Sequence, residues 1–167
     1  AGAIIGAITF TGSVIAFGKL QGLISGKPVK FPMQHQLNAG IALVTIALGV
    51  HFAMTGSLVS LALMTILALV LGFTLIIPIG GADMPVVISL LNSLSGIAAA
   101  MAGFIISNQA LIIGGALVGA AGLILTFEMS VAMNRSLGNI LFSGFGGGPV
   151  SDDIGTKPVR RATADDA

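Results

Sequence analysis

From Leu58 to Ile79 the chain runs without a charged residue, and polar side chains enter only through Ser60, Thr65 and Thr74. A helix of that length rises about 30 Å, which matches the hydrocarbon thickness of a bilayer. Four further apolar runs accompany it, at Ala1 to Phe17, Asn38 to Met54, Val86 to Ile106 and Ala110 to Met133. Only 8% of the chain is charged and 55% is hydrophobic, whereas soluble domains average about 25% charged residues. Lipid is therefore the expected solvent for these runs. The expected fold is an all-α membrane protein, a five-helix transmembrane bundle with short loops and a flexible cytoplasmic tail. Its transmembrane domain covers 1–143, with spans about 1–17, 38–54, 58–79, 85–106 and 110–133. A Gly-rich linker and the start of a truncated soluble domain follow at 144–167.

The connections support this division. Residues 18–37 hold Lys19, Lys27, Lys30, Pro28, Pro32 and His35, and read as a basic loop. Thr55-Gly56-Ser57 is a short turn in which Ser57 is suited to cap the next helix. Gly80 to Met84 forms the loop before the fourth span. There Pro85 suits a first helical turn, and Asp83 suits a cap at the positive end of the dipole. Ser107-Asn108-Gln109 turns the chain into the fifth span. With five spans, the basic loop, the Asp83 loop, Arg135 and the tail fall on one face, which carries all seven Lys and Arg. The positive-inside rule makes that face cytoplasmic, or the matrix side in a mitochondrion. The run Gly144 to Pro149 reads as a flexible linker, and Thr163 to Asp166 as a capping box that opens a helix. The chain begins inside an apolar run and stops at that capping box, so it is expected to be part of a larger protein.

Several kinds of chemistry are excluded. Without Cys there are no disulfides, thiolate metal sites or Cys nucleophiles, and two separated His give no metal-ligand spacing. A net charge of +1 gives no field for nucleic acid. The Gly144–Gly148 run lacks the Gly-Lys-Ser/Thr ending and the preceding strand of a phosphate loop. No nucleophile–base pair stands out, and this segment is expected to bind no cofactor itself.

The polar residues inside the apolar runs are the candidates for function. Asn92 lies about two turns into the fourth span, and Ser89, Ser93, Gly96, Ala100 and Gly103 are read as sharing its face. An interhelical hydrogen bond and a hydrated path both explain such a patch. Asp83 is either a helix cap or a charge at the mouth of the fourth span. Gly115, Gly119, Gly122 and Thr126 form a GxxxG-type packing stripe, and Gly2, Gly6, Thr9 and Ser13 form a second small-residue face. Glu128 lies off the first stripe, two turns from the end of its span. It is either interfacial, paired with a neighbouring subunit, or a proton carrier. His51, near the other membrane face, is either structural or a proton donor and acceptor.

Four runs resemble the membrane domain of the β subunit of proton-translocating NAD(P) transhydrogenase. They are Ile8 to Leu20, Gly80 to Val87 with Leu91-Asn92-Ser93, Gly115 to Gly119, and Ala132 to Ser136. The resemblance covers roughly residues 1–146 in order. It implies an enzyme that moves hydride between NAD(H) and NADP(H), coupled to proton passage through the membrane. Both nucleotides would sit in soluble domains outside this segment. It further implies as partners the lipid bilayer, the remaining helices of the β subunit, the α subunit and the NADP-binding domain. The whole enzyme would be a homodimer in a bacterial or mitochondrial inner membrane. By resemblance, Asn92 with Ser93 and Ser89 belongs to the proton path, Asp83 and Arg135 couple to the soluble domain, and Gly115, Gly119 and Gly122 lie on a glycine-rich helix. Two features depart from the family. Its intramembrane histidine lies upstream of Ala1 and neither His35 nor His51 replaces it, and Glu128 stands where an apolar residue is expected. Two readings of other classes stay open. One is half of a secondary transporter with its site at the Gly80–Pro85 break, and the other is a structural membrane anchor.

Overall fold

The computed structural model describes residues 1–29 and 33–141. The linker expected at 144–149 and the capping box at 163–166 lie outside the described residues. Five long helices are present: α1 (Gly2–Leu20), α2 (Gln34–Thr55), α3 (Leu58–Ile76), α4 (Met84–Ile105) and α5 (Gln109–Ala132). All are long and apolar enough to cross a membrane. A short helix, α6 (Leu137–Leu141), follows α5, and a 3-10 turn at Gly81–Asp83 precedes α4.

Helix ends differ from the sequence reading where local chemistry overrides hydropathy. α1 runs through Gly18-Lys19-Leu20, and α2 begins at Gln34 rather than Asn38, because polar residues at the membrane face cost a helix little. α3 stops at Ile76, just before Pro78, which lacks the N–H that a further turn would need. The Ser57 hydroxyl makes no capping bond, although its backbone is extended as at a helix start. At the next connection Asn108 does cap, its side chain accepting from Leu111 N at 3.1 Å.

The helices pack as a row, in the spatial order α2–α3–α1–α4–α5. Closest approach comes at α4 and α5. A Cβ built on Gly115 would lie 2.4 Å from Ala100 N, and one on Gly96 would lie 2.5 Å from Gly119 N. Only glycine permits such contact between backbones. Two serines stitch the same seam: Ser93 Oγ donates to Gly119 O at 2.8 Å, and Ser89 Oγ to Gly122 O at 3.1 Å. A second glycine contact joins α3 to α1, where a Cβ on Gly72 would fall 2.6 Å from Ile8 O. The small-residue face of α1 is different. Gly2 and Gly6 have nothing within 4 Å of a built Cβ, so no described helix packs there. α2, at one end of the row, buries only Gln34 and Thr45.

The apolar core lies at the basic end of the bundle. Ile15 and Ala16 of α1 meet Ile76 and Ile79, Met84, Val86, Val87 and Leu91. Ile140 of α6 is fully buried in the same cluster, so the chain after α5 folds back beneath the bundle.

The seam gives a direct test. Gly115→Ala is expected to destabilise the detergent-solubilised protein by about 1–3 kcal/mol through overpacking. Gly114→Ala, next to it but facing open space, is expected to be neutral or to stabilise by up to about 1 kcal/mol. Equal unfolding midpoints for the two variants would refute the backbone contact.

Candidate functional site

The link between α3 and α4 is short and strongly held. Pro85 lies in the first turn of α4, as its fixed φ favours. Asp83 immediately precedes that helix but makes no side-chain capping bond. Its carboxylate oxygens instead accept from Arg135 Nη1, at 2.8 and 2.7 Å. The guanidinium gains more from a carboxylate than a backbone N–H would, so the ion pair displaces the cap. The Asp83 side chain is 5% exposed and that of Arg135 45%. One end of the pair is therefore set into the protein while the other faces outward.

Arg135 owes its position to how α5 ends. Asn134 adopts a left-handed φ of 52°, which asparagine tolerates better than most residues. Asn134 N then donates to Val131 O, and Arg135 N to Ser130 O. These are the two bonds of a Schellman motif. Burial of Ile140 anchors the chain beyond the turn. Arg135 is thus held from both sides, across from Asp83.

Lys19 occupies an unexpected place. It is in the last turn of α1 and only 4% exposed, not in a solvated loop. Its ammonium donates to Ile77 O at 2.5 Å and Ile79 O at 2.6 Å. Those carbonyls flank Pro78 at the broken end of α3, where helical partners run out. Charge-assisted bonds of this kind contribute about 1.5–3 kcal/mol each. They offset the several kcal/mol that burying an ammonium costs. The α1–α2 loop closes over the site: Ile24 N donates to Gly18 O, and Gly81 N donates to Gly26 O at 2.9 Å. Pro28 lies against Gly80.

α4 has three distinct sides. One, with Ser89, Ser93, Gly96 and Gly103, is buried against α5. Another, with Leu91, faces the α1 side of the bundle, where Leu91 meets Gly12. The third carries Ile88, Asn92 and Ser95, all exposed. Asn92 is therefore not on the face of Ser89 and Ser93. One residue of helix turns the side chain by 100°, which rotates Asn92 out of the tight seam. The seam has no room for it, since even a Cβ at Gly96 or Gly122 would clash. Ser89 and Ser93 spend their hydroxyl protons on α5 carbonyls.

Ser95 opens onto a groove of about 540 Å³ between α1 and α4, lined also by Gly6, Thr9, Phe10, Ser13, Val14 and Phe17. Its hydroxyls come from Thr9, Ser13 and Ser95. Thr9 donates to Gly6 O and Ser95 to Leu91 O, and both keep acceptor lone pairs for a further donor. Asn92 stands one turn before Ser95 on the same exposed side, about 13 Å along the helix axis from Asp83.

The remaining candidates lie apart. Glu128 is exposed on α5, facing away from the Gly115–Gly122 stripe, about 6 Å along the axis from the helix end. His51 is at the opposite end of the bundle, where its Nδ1 lies 2.8 Å from Ser60 Oγ and so ties α2 to α3. His35 lies in the first turn of α2, not in the loop. Among the described residues no group of His, Asp and Glu is arranged to hold a metal ion. There is also no strand among them. Sequence reasoning missed Lys19 and the α5 end motif. Pro78 and Asn134 were the available signals, the first freeing carbonyls and the second permitting a left-handed turn.

A family profile described as NAD(P) transhydrogenase beta subunit matches residues 1–167. Two curated sequences named NAD(P) transhydrogenase subunit beta, both from Rhodospirillum rubrum, are 56% identical over 170 aligned residues. The alignment takes in 99% of this chain and 37% of each relative. The chain thus spans little more than a third of the length of these relatives.

The ion pair can be tested by a double-mutant cycle with Asp83→Asn and Arg135→Ala. Because the two side chains share bonds, a coupling energy of about 0.5–3 kcal/mol is expected from SDS-induced unfolding. A coupling within about 0.3 kcal/mol of zero would remove the pair from any account of this site.

Proposed function

The chain belongs to the NAD(P) transhydrogenase beta subunit family, and we propose that it forms part of the membrane path by which that enzyme couples proton passage to hydride transfer between NAD(H) and NADP(H). The observation that carries this reading is the groove between α1 and α4. Thr9, Ser13 and Ser95 put hydroxyls along it, and Asn92 is exposed one turn before Ser95 on the same side of α4. In an apolar bundle such groups need polar partners, and water is the simplest one. An asparagine amide both donates and accepts, so it can hold a water chain without carrying charge. Ser89 and Ser93 serve this path indirectly, by fixing the rotation of α4 that turns Asn92 toward the groove side.

The Asp83–Arg135 pair is the outlet of this reading. Its half-exposed guanidinium keeps N–H groups beyond the two contacts to Asp83. A soluble domain that binds NADP would engage that surface, and its nucleotide state would bias the pair. Both nucleotides are assigned to parts of the enzyme outside this chain. The α subunit and the other helices of the β subunit complete the path, in a homodimer. The basic end of the bundle faces the cytoplasm in a bacterial inner membrane, or the matrix in a mitochondrion.

The reading is tested with the whole enzyme in sealed vesicles. Asn92→Leu is expected to abolish proton movement across the membrane, while hydride exchange by the nucleotide domains persists. Proton pumping at the unmodified rate in that variant would sink the proposal.

A further inference from the structure

α1 has two roles at once. Its outer side supplies most of the groove lining, from Gly6 to Phe17. Its last turn, two residues beyond Phe17, holds Lys19. Lys19 in turn grips the carbonyls of Ile77 and Ile79. That segment runs straight into Gly80–Asp83, where Asp83 meets Arg135. The hydroxyls of Thr9 and Thr11 bond within the helix, to carbonyls one turn back.

We infer that Lys19 is a positioning residue: it ties the groove-lining helix α1 to the segment 77–83 that carries Asp83, so that a displacement of the Asp83–Arg135 pair is passed to the groove. The inference rests on the proton-path reading above and adds to it a residue that has no place in that path. Three features argue for a coupling element beyond a helix cap. Firstly, Lys19 sets a charged group in a buried place, where it donates to the carbonyls of Ile77 and Ile79. Secondly, its bonds fall on both sides of Pro78, so they fix the direction in which the chain leaves α3. Thirdly, polar contacts of the segment beyond reach two further elements. Gly81 N bonds to Gly26 O in the α1–α2 loop, and Asp83 bonds to Arg135 after α5. Lys19 is the hydrogen-bonded link from α1 to this segment, beside the apolar cluster that Ile15 and Ala16 share with Ile76 and Ile79. It neither touches a nucleotide nor lines the groove, so its effect must appear in coupling, not in hydride transfer itself.

The test uses the complete enzyme reconstituted in sealed vesicles, with proton uptake and hydride transfer recorded on the same sample. The variants are Lys19→Met, Lys19→Gln and Lys19→Arg, beside the unmodified enzyme and Asn92→Leu. Lys19→Met and Lys19→Gln are expected to lower the ratio of protons moved to hydrides transferred by roughly two- to thirtyfold. Hydride transfer continues in both, and Lys19→Arg, which keeps a cation and several donors, restores most of the ratio. An unchanged ratio in Lys19→Met and Lys19→Gln overturns the inference. So does a proportional fall of both activities, or failure of both variants to assemble, since Lys19 would then be a folding strut. If the unmodified enzyme moves no protons, or Asn92→Leu pumps normally, the proton-path reading fails and this inference falls with it. That result is distinct from one in which only the Lys19 variants behave as the unmodified enzyme does.

Discussion

The contact on which the rest of this structure depends is the backbone approach of α4 to α5. Gly96, Gly115, Gly119 and Gly122 let the two helices meet without side chains between them. In lipid there is little hydrophobic force to drive helices together, so van der Waals contact and a few hydrogen bonds must do it. Ser89 and Ser93 supply the bonds, to carbonyls that glycine leaves accessible. The result fixes more than a distance. It sets the rotation of α4, and that rotation decides which polar residues are spent on packing and which remain available.

Consequences run to both sides of α4. Turned one way, the seam absorbs the two serines. Turned the other, Asn92 and Ser95 stay exposed, and Ser95 lines the α1 groove. The same seam carries the end of α5 to the start of α4, where Arg135 can reach Asp83. A membrane helix bundle has few charges to use, and here they are concentrated at one end. Two of them, Lys19 and Arg135, hold the loop between α3 and α4 from different sides. One binds carbonyls and the other a carboxylate, so the loop is fixed both by a helix end left open and by an ion pair.

Much of this was legible in the chain. Asp83 and Arg135 attract notice because charges are scarce, and the GxxxG spacing of Gly115 and Gly119 announces a packing face. Two faces of α4 are not separable from its sequence. In sequence Asn92 groups with Ser89 and Ser93, because all are polar and close together along α4. The seam proved too narrow to hold an asparagine, and a rotation of 100° placed it elsewhere. Basic residues at the end of an apolar run usually reach for water, yet Lys19 is buried. Its burial depends on Pro78 and on the fold-back of Ile24, fifty-nine and five residues away in sequence.

The sequence by itself determined the class and the layout. Apolar runs of bilayer length can only be helices that span, since lipid offers the backbone no other partners. The scarcity of charge and its confinement to alternate connections then determined which ends lie together. Tertiary structure alone decided the spatial order α2–α3–α1–α4–α5, and with it the groove, the exposure of Asn92 and the burial of Lys19. The physical reason is that hydropathy reports the solvent around a helix, averaged over its circumference. Which side meets which neighbour depends on shape, on where a missing Cβ allows one backbone to touch another.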